Sequence, residues 1–310
     1  MLNVQFAANP DHWPIYQPLL TDAFQTAGLA ATLGTTLDPS VVDYMVFSPR
    51  GQIEEFERYT KLKAVLSLWA GVEQALPLVP KHIPLSRMVD FGLTQGMVEW
   101  VTGHVLRHHL GLDAHIHGLG GVWAEDVHPP LAQDRHVGIL GMGALGQACG
   151  EALNALGFAV MGWSRTAKSH PTISCHHGSA GLDEMLARTE IAVLLLPDTQ
   201  ATQNTLNART LALMPKGAVI INPGRGPLID DDALLAALDT GHIAHATLDV
   251  FRQEPLPPEH PFWHYPSVTV TPHVASVTRP KTAAQTVVET IRLHEAGAPL
   301  RFKVDRSAGY

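Results

Sequence analysis

The chain has almost no cysteine, no long apolar run and no surplus of positive charge. Each shortage removes a class of protein. Only Cys149 and Cys175 occur in 310 residues, and neither lies in a C-x-x-C pair. Two such thiols cannot staple a small secreted fold. They read as buried or half-buried groups in a reducing compartment. No apolar stretch approaches the roughly 20 residues that a membrane-spanning helix needs. The first eight residues lack a basic leader and read as a strand rather than a signal peptide, so the expected location is the cytoplasm. Lys and Arg number 21 against 29 Asp and Glu, a formal net charge of -8. Nucleic-acid binders usually carry a basic face, so neither nucleic acid nor membrane is expected as a partner. There is no run of like charge, no repeat of solenoid period and no low-complexity tract.

Metal-ligand spacing is missing as well, despite 18 histidines. His104 and His108 stand at helical i, i+4 spacing, but Val105 occupies the position where a zinc hydrolase has Glu. No carboxylate or cysteine lies at a spacing that would complete a site. His104 and His108 read as solvated helix histidines, as do His115, His117, His176 and His177. No metal is expected.

What is present is an alternation of short apolar runs and amphipathic stretches. It predicts two α/β domains built on parallel sheets covered by helices. The length of 310 residues suits two domains. Strands are expected near 2–7, 43–47 and 63–68, with helices near 14–26 and 51–60. A long connecting helix is expected over 92–108, followed by an irregular segment over 109–131. A second series follows: strand 136–140, helix 144–156, strand 158–163, then strands 191–196, 218–222, 244–248 and 268–270. A final helix is expected over 281–294.

Gly141-Met142-Gly143-Ala144-Leu145-Gly146 is G-x-G-x-x-G, placed between an expected strand and an expected helix. In that context the pattern has a mechanism. Gly141 permits the tight turn, Gly143 lets backbone approach a pyrophosphate, and Gly146 allows close helix–strand packing. Amides at the helix start then face the phosphates. A carboxylate is absent where it decides the cofactor. An NAD site wants an acid about 20 residues on, at the end of the next strand. Here that strand ends Trp163-Ser164-Arg165, with Lys168 close by. A guanidinium suits a phosphate better than a diol, so NADP(H) is expected in preference to NAD(H).

Three further motifs end strands downstream. They are Asn222-Pro223-Gly224-Arg225-Gly226, Leu248-Asp249-Val250-Phe251 with Glu254-Pro255, and Thr271-Pro272-His273. The carboxyl ends of parallel strands are where such sheets bind ligands. With the glycine motif, this order resembles the D-isomer-specific 2-hydroxyacid dehydrogenases. Leu195-Leu196-Pro197, residues 231–239, residues 254–259 and the tail Val304-Asp305-Arg306 narrow the likeness to bacterial glyoxylate/hydroxypyruvate reductases of the A type. It covers most of residues 60–310.

The resemblance implies a Rossmann-type dinucleotide domain over 98–275. It also implies a flavodoxin-like, discontinuous substrate domain over 1–97 and 276–310, with a cleft that closes on the substrate. It implies NADPH-dependent reduction of a small 2-keto acid to the D-2-hydroxy acid. Arg225 would hold the carboxylate and polarise the carbonyl, and His273 would donate the proton. Glu254 would pair with His273 and raise its pKa. Leu196, Pro197, Asn222 and Asp249 would join the cofactor contacts, Asp249 by orienting the carboxamide. Trp69, Ala70 and Gly71 would form the substrate loop, with Met97 and Glu99 matching the family's M-x-E. A homodimer is implied, with an arm around His115–Trp123, and Trp123 reaching the partner's active site. The C-terminal helix, with its Tyr310 terminus, would pack on the substrate domain.

The pattern breaks after strand 43–47. Close relatives carry a tryptophan there, whereas this chain has Phe47-Ser48-Pro49-Arg50. Ser48 would widen the pocket and Arg50 would meet a second anionic group, so a bulkier or more acidic 2-keto acid is the alternative substrate. Two rivals are a nucleotide-sensing corepressor and an NAD-linked phosphoglycerate or lactate-type dehydrogenase. The first is opposed by the Arg225, Glu254, His273 set, the second by Arg165.

Overall fold

The computed structural model describes the whole chain apart from residues 52, 54, 117–119, 122, 124–127 and 310. His117, much of the expected dimer arm and Tyr310 therefore lie outside the described residues. The chain divides into two compact units, residues 1–93 with 277–310, and residues 94–276.

The first unit contains β1 (Leu2–Ala7), α1 (Trp13–Thr26), β2 (Ala31–Gly34), β3 (Tyr44–Phe47), β4 (Ala64–Ser67) and β5 (Leu85–Ser86). Its strands are all parallel in the order β2-β1-β3-β4-β5, the flavodoxin-like arrangement. β3 and β4 are buried throughout, as parallel strands covered on both faces must be. α2 (Phe91–His109) leads out of this unit.

The second unit continues with α3 (Leu112–Ile116), β6 (His136–Leu140), α4 (Ala144–Ala155), β7 (Ala159–Ser164), β8 (Ser174–His177), α5 (Gly178–Leu186) and β9 (Ile191–Leu194). Then come α6 (Ala208–Leu213), β10 (Ala218–Asn222), α7 (Asp231–Asp239), β11 (Ile243–Leu248) and β12 (Val268–Val270). The sheet order is β12-β11-β10-β9-β6-β7-β8, again all parallel. The order reverses at β6, where α4 begins. This is the switch point at which doubly wound sheets bind dinucleotides. The two-domain parallel-sheet fold expected from the sequence is the fold observed.

α8 (Pro280–Glu295) returns to the first unit. Ala284, Val287 and Ile291 on it bury against Tyr16, Leu20 and Phe24 of α1 and Val4, Phe6, Tyr44 and Val46 of the sheet. The expected packing of the last helix on this unit is observed.

Three expectations need correction. No α-helix forms over 51–60; among the described residues there is a single 3-10 turn, Phe56–Arg58. The spacing of Ile53, Phe56 and Tyr59 is three residues, which a 3-10 turn satisfies as well as an α-helix. Phe56 and Tyr59 pack edge-on or tilted in a chain of rings that starts at Phe47. Second, β2, β5 and β8 were not anticipated. Each is short and none carries a clear alternation.

Third, His104 and His108 are not solvated. α2 lies on β11, whose His245 ring stands 4.9 Å from that of His108. His108 Nε2 hydrogen-bonds Thr247 Oγ1 at 2.8 Å. Burial pushes His108 down to about 3 and His245 to about 4, and it also lowers His104, so all three rings are neutral. No cluster of metal-ligating groups occurs among the described residues.

Candidate active site

The glycine motif sits where β6 gives way to α4. Gly141 adopts φ 115, a region that favours glycine. A Cβ on it would lie 2.5 Å from the Leu195 carbonyl oxygen. On Gly146 a Cβ would lie 1.9 Å from the Gly141 oxygen, so α4 can start this close to the strand only with glycine there. Gly143, the N-cap of α4, behaves differently, because a Cβ there would meet nothing within 4 Å. Gly143 and Ala144 are exposed, and Leu145 is half-buried. The result is an open backbone cradle on the positive end of a 12-residue helix, which fits a dinucleotide pyrophosphate. Met142 contributes backbone only, since its side chain is buried against Gly162. Cys149, further along α4, is fully buried, and burial pushes its thiol up to about 12, so it is chemically inert.

The end of β7 lies beside this cradle. The Gly141 amide donates to the Trp163 carbonyl at 2.9 Å. Ser164 is buried, and its hydroxyl donates to the Thr166 carbonyl at 2.8 Å, which shapes the turn. Arg165 and Lys168 are exposed. Lys168 Nζ donates to the Met142 carbonyl at 2.5 Å, so two cations stand by the glycine loop where an acid would otherwise be. Leu196 and Pro197 follow β9, held near the loop because the Leu195 amide donates to the Leu140 carbonyl at 2.7 Å.

β10 ends in a turn locked by Asn222. Its Nδ2 donates to the Arg225 carbonyl at 2.9 Å, and its Oδ1 accepts from the Gly224 amide at 3.1 Å. Asn222 is buried, with both ends of its amide engaged inside the protein. Arg225 emerges half-buried from this turn, with Nη1 on the Gly224 carbonyl at 2.6 Å. A Cβ on Gly226 would lie 1.9 Å from the Phe251 carbonyl carbon, so the turn presses directly on the exit of β11.

That exit carries Asp249, a fully buried carboxylate. It accepts from Thr271 Oγ1 at 2.6 Å, the Val274 amide at 2.8 Å and the Ala275 amide at 2.9 Å. A buried carboxylate needs such donors. These bonds tie the Thr271–Ala275 loop around it and hold His273 at φ 55, with its amide on the Asp249 carbonyl at 2.8 Å. Sequence reasoning quoted Thr271 in a motif but gave it no task. The signal was available: an acid ending a buried strand must find donors, and the hydroxyl two residues before His273 is one.

His273 Nδ1 lies 2.7 Å from Glu254 Oε2, and Glu254 Oε1 accepts from the Phe251 amide at 2.9 Å. Side-chain exposure is 48% for His273 and 35% for Glu254, so the pair is open to a ligand. The hydrogen bond that His273 Nδ1–H donates to Glu254 raises the His273 pKa above its ordinary value, against the opposing effects of burial and the Arg225 charge. Burial pushes Glu254 up. The His273 and Phe251 hydrogen bonds outweigh it and hold the carboxyl below its usual value. With Nδ1 facing Glu254, the outward Nε2 carries the transferable proton. Arg225, Glu254 and His273 are thus brought together.

One prediction follows from this pair. Any rate that depends on protonated His273 falls off as pH rises through its elevated pKa. Glu254→Gln removes the charge that elevates it. The alkaline limb of kcat/KM should move to lower pH, with a smaller loss of rate at acid pH. A pH–rate profile with an unshifted limb would remove Glu254 from this task.

In the first unit, Trp69, Ala70 and Gly71 follow β4 and are half-buried. The Trp69 amide donates to Ser67 Oγ at 3.0 Å, and the Met88 amide to the Trp69 carbonyl at 3.0 Å, which fixes the loop. Ser48, expected to widen a pocket, is buried, and the exposed side chain of its turn is Arg50.

With this geometry in hand, comparison with known proteins is informative. The family described as D-isomer specific 2-hydroxyacid dehydrogenase, NAD binding domain, matches residues 104–275. A D-isomer specific 2-hydroxyacid dehydrogenase from Xanthobacter autotrophicus, solved with NADPH and MES, is 40% identical. It superposes with a TM-score of 0.90 over 100% of this chain and 99% of its own. An NADPH-dependent glyoxylate/hydroxypyruvate reductase from Sinorhizobium meliloti, solved with NADP and sulfate, is 35% identical, with a TM-score of 0.87 over all of both chains. A probable 2-hydroxyacid dehydrogenase from Rhizobium etli, solved with NADP, HEPES and L(+)-tartaric acid, is 31% identical, with a TM-score of 0.87, again over all of both chains.

Proposed function

The chain belongs to the D-isomer-specific 2-hydroxyacid dehydrogenases, a family of nicotinamide-dependent oxidoreductases, and from that premise we propose that it reduces a small 2-keto acid to the D-2-hydroxy acid with NADPH. The observation that carries this reading is the His273–Glu254 pair, 2.7 Å apart and open to ligand, next to the turn that presents Arg225. When bound, the dinucleotide supplies the hydride. Gly143 and the first turn of α4 hold its pyrophosphate. Arg225 pairs with the substrate carboxylate and draws electron density toward the carbonyl oxygen. His273 delivers a proton from Nε2 to that oxygen, and Glu254 keeps it charged until then. Asp249 fixes the loop on which His273 stands. The amides of Ala70 and Gly71 are offered to the substrate by the loop that Trp69 and Ser67 fix. The corepressor reading is opposed by the Arg225, Glu254 and His273 set, which nucleotide sensing alone does not need.

NADP preference rests on Arg165 and Lys168, with the NADPH- and NADP-bound relatives as further support. The exposed side chains of Leu110, Leu112, Ile116 and Trp123 support a homodimer. No helix among the described residues is long and apolar enough to cross a membrane.

The test is an absorbance assay at the reduced-nicotinamide band, pairing NADPH and NADH with glyoxylate, hydroxypyruvate and pyruvate. NADPH should be oxidised faster than NADH with at least one of them. Arg165→Ala should weaken NADPH by roughly ten- to a hundredfold, the scale of a lost charge-assisted contact to phosphate, and NADH far less. Equal losses for the two cofactors would leave Arg165 without a part in selectivity.

A further inference from the structure

β3 and β4 are adjacent and parallel, with Phe47 opposite Ser67, so the segments that follow them emerge side by side. One is the loop Trp69–Gly71. The other is the turn Ser48–Gly51, which is tightly built. The Ser48 amide donates to the Ala7 carbonyl at 3.2 Å, and the Gly51 amide closes the turn on the Ser48 carbonyl at 2.8 Å. A Cβ on Gly51 would lie 1.9 Å from the Ala7 oxygen, so the turn is pressed against the end of β1 and only glycine fits.

Arg50 projects from this fixed turn. Its guanidinium carbon lies 5.8 Å from the centroid of the Trp69 ring, within reach of a cation–π contact. The side chain is exposed, and no ion pair to a carboxylate is formed by it among the described residues. A guanidinium laid on an indole keeps its edge donors directed outward. It also loses less freedom on binding an anion than a loose arginine does. The same tryptophan whose backbone belongs to the substrate loop thereby holds a cation beside that loop.

We propose that Arg50, positioned by Trp69, receives a second carboxylate of the substrate, so that the enzyme selects 2-keto dicarboxylic acids over the corresponding monocarboxylic acids. This rests on the reading that Trp69–Gly71 is the substrate loop. The chemistry is direct: a guanidinium binds carboxylate through paired N–H donors, and it gains nothing from the hydrogen that replaces that carboxylate in the monocarboxylic acid.

The experiment compares matched pairs, oxaloacetate with pyruvate and 2-oxoglutarate with 2-oxobutyrate, using NADPH and the full chain. In the wild type, kcat/KM for the dicarboxylate should exceed that for its partner in at least one pair. Arg50→Gln should lower that dicarboxylate-to-monocarboxylate ratio tenfold or more, mainly through KM. Arg50→Glu should lower it further. Arg50 is exposed, so both variants should keep the wild-type thermal unfolding midpoint. A wild-type preference for the monocarboxylate in both pairs, or a ratio that falls less than fivefold in Arg50→Gln, would overturn the assignment while leaving the reductase intact. A wild type that reduces none of the four acids, nor glyoxylate or hydroxypyruvate, would overturn the reductase reading and this assignment with it.

Discussion

Replacing His273 with alanine should lower kcat/KM for 2-keto acid reduction by about 10²–10⁴, the usual worth of a positioned general acid. NADPH binding, measured by fluorescence titration, should stay within about threefold of wild type, because the cradle is built from the backbone of residues 141–146 while the His273 ring is engaged by Glu254. The backbone argues for a second variant. His273 sits at φ 55, where asparagine is among the better tolerated residues, so His273→Asn separates the loss of the ring from any rearrangement of the loop. The loop itself should survive, since it is tied by three bonds to the Asp249 carboxylate and not by the imidazole. Both variants should also lose the alkaline limb that depends on the His273 pKa. Near wild-type turnover in either one would mean that the proton comes from elsewhere.

Much of this arrangement was legible because each element carries its own local reason. The buried runs of β6, β7, β9, β10 and β11 are apolar because both sheet faces are covered, and the G-x-G-x-x-G pattern encodes steric demands at Gly141 and Gly146 and open backbone at Gly143. The rest depended on partners distant in sequence. His108 looks like a surface histidine until its neighbour is known to be β11, contributed from 139 residues away through Thr247. β8 pairs along Met161–Ser164 of β7 but has only half-buried or exposed side chains of its own, so no hydrophobic pattern announces it. In the site, the residue types and their order were readable, because hydride and proton transfer to a keto acid needs a cation, an acid and its partner. The task of Thr271 was not, because it follows from where Asp249 is buried. Nor was the contact of Arg50 with Trp69, which follows from the pairing of β3 with β4.

Arg225→Ala should be as damaging as loss of His273, but by a different route. Two charge-assisted hydrogen bonds to a carboxylate are worth about 3–6 kcal/mol together, roughly 10²–10⁴ in kcat/KM. If the guanidinium only anchored the substrate, the whole effect would fall on KM. Arg225 is also expected to polarise the carbonyl as charge develops on its oxygen, so kcat should fall too. Arg225→Lys distinguishes a point charge from a fork. Lysine keeps the positive charge that acts on His273 and Glu254, yet cannot place two parallel N–H donors on one carboxylate. It should therefore recover less than a tenth of the lost activity. The fold should tolerate both changes. Asn222 locks the turn through backbone groups of Gly224 and Arg225, which remain whatever side chain stands at position 225. Steady-state kinetics on the two variants, with thermal unfolding as the control, decide the matter. Full rescue by lysine would reduce Arg225 to a source of field, and a pure KM effect would confine it to binding.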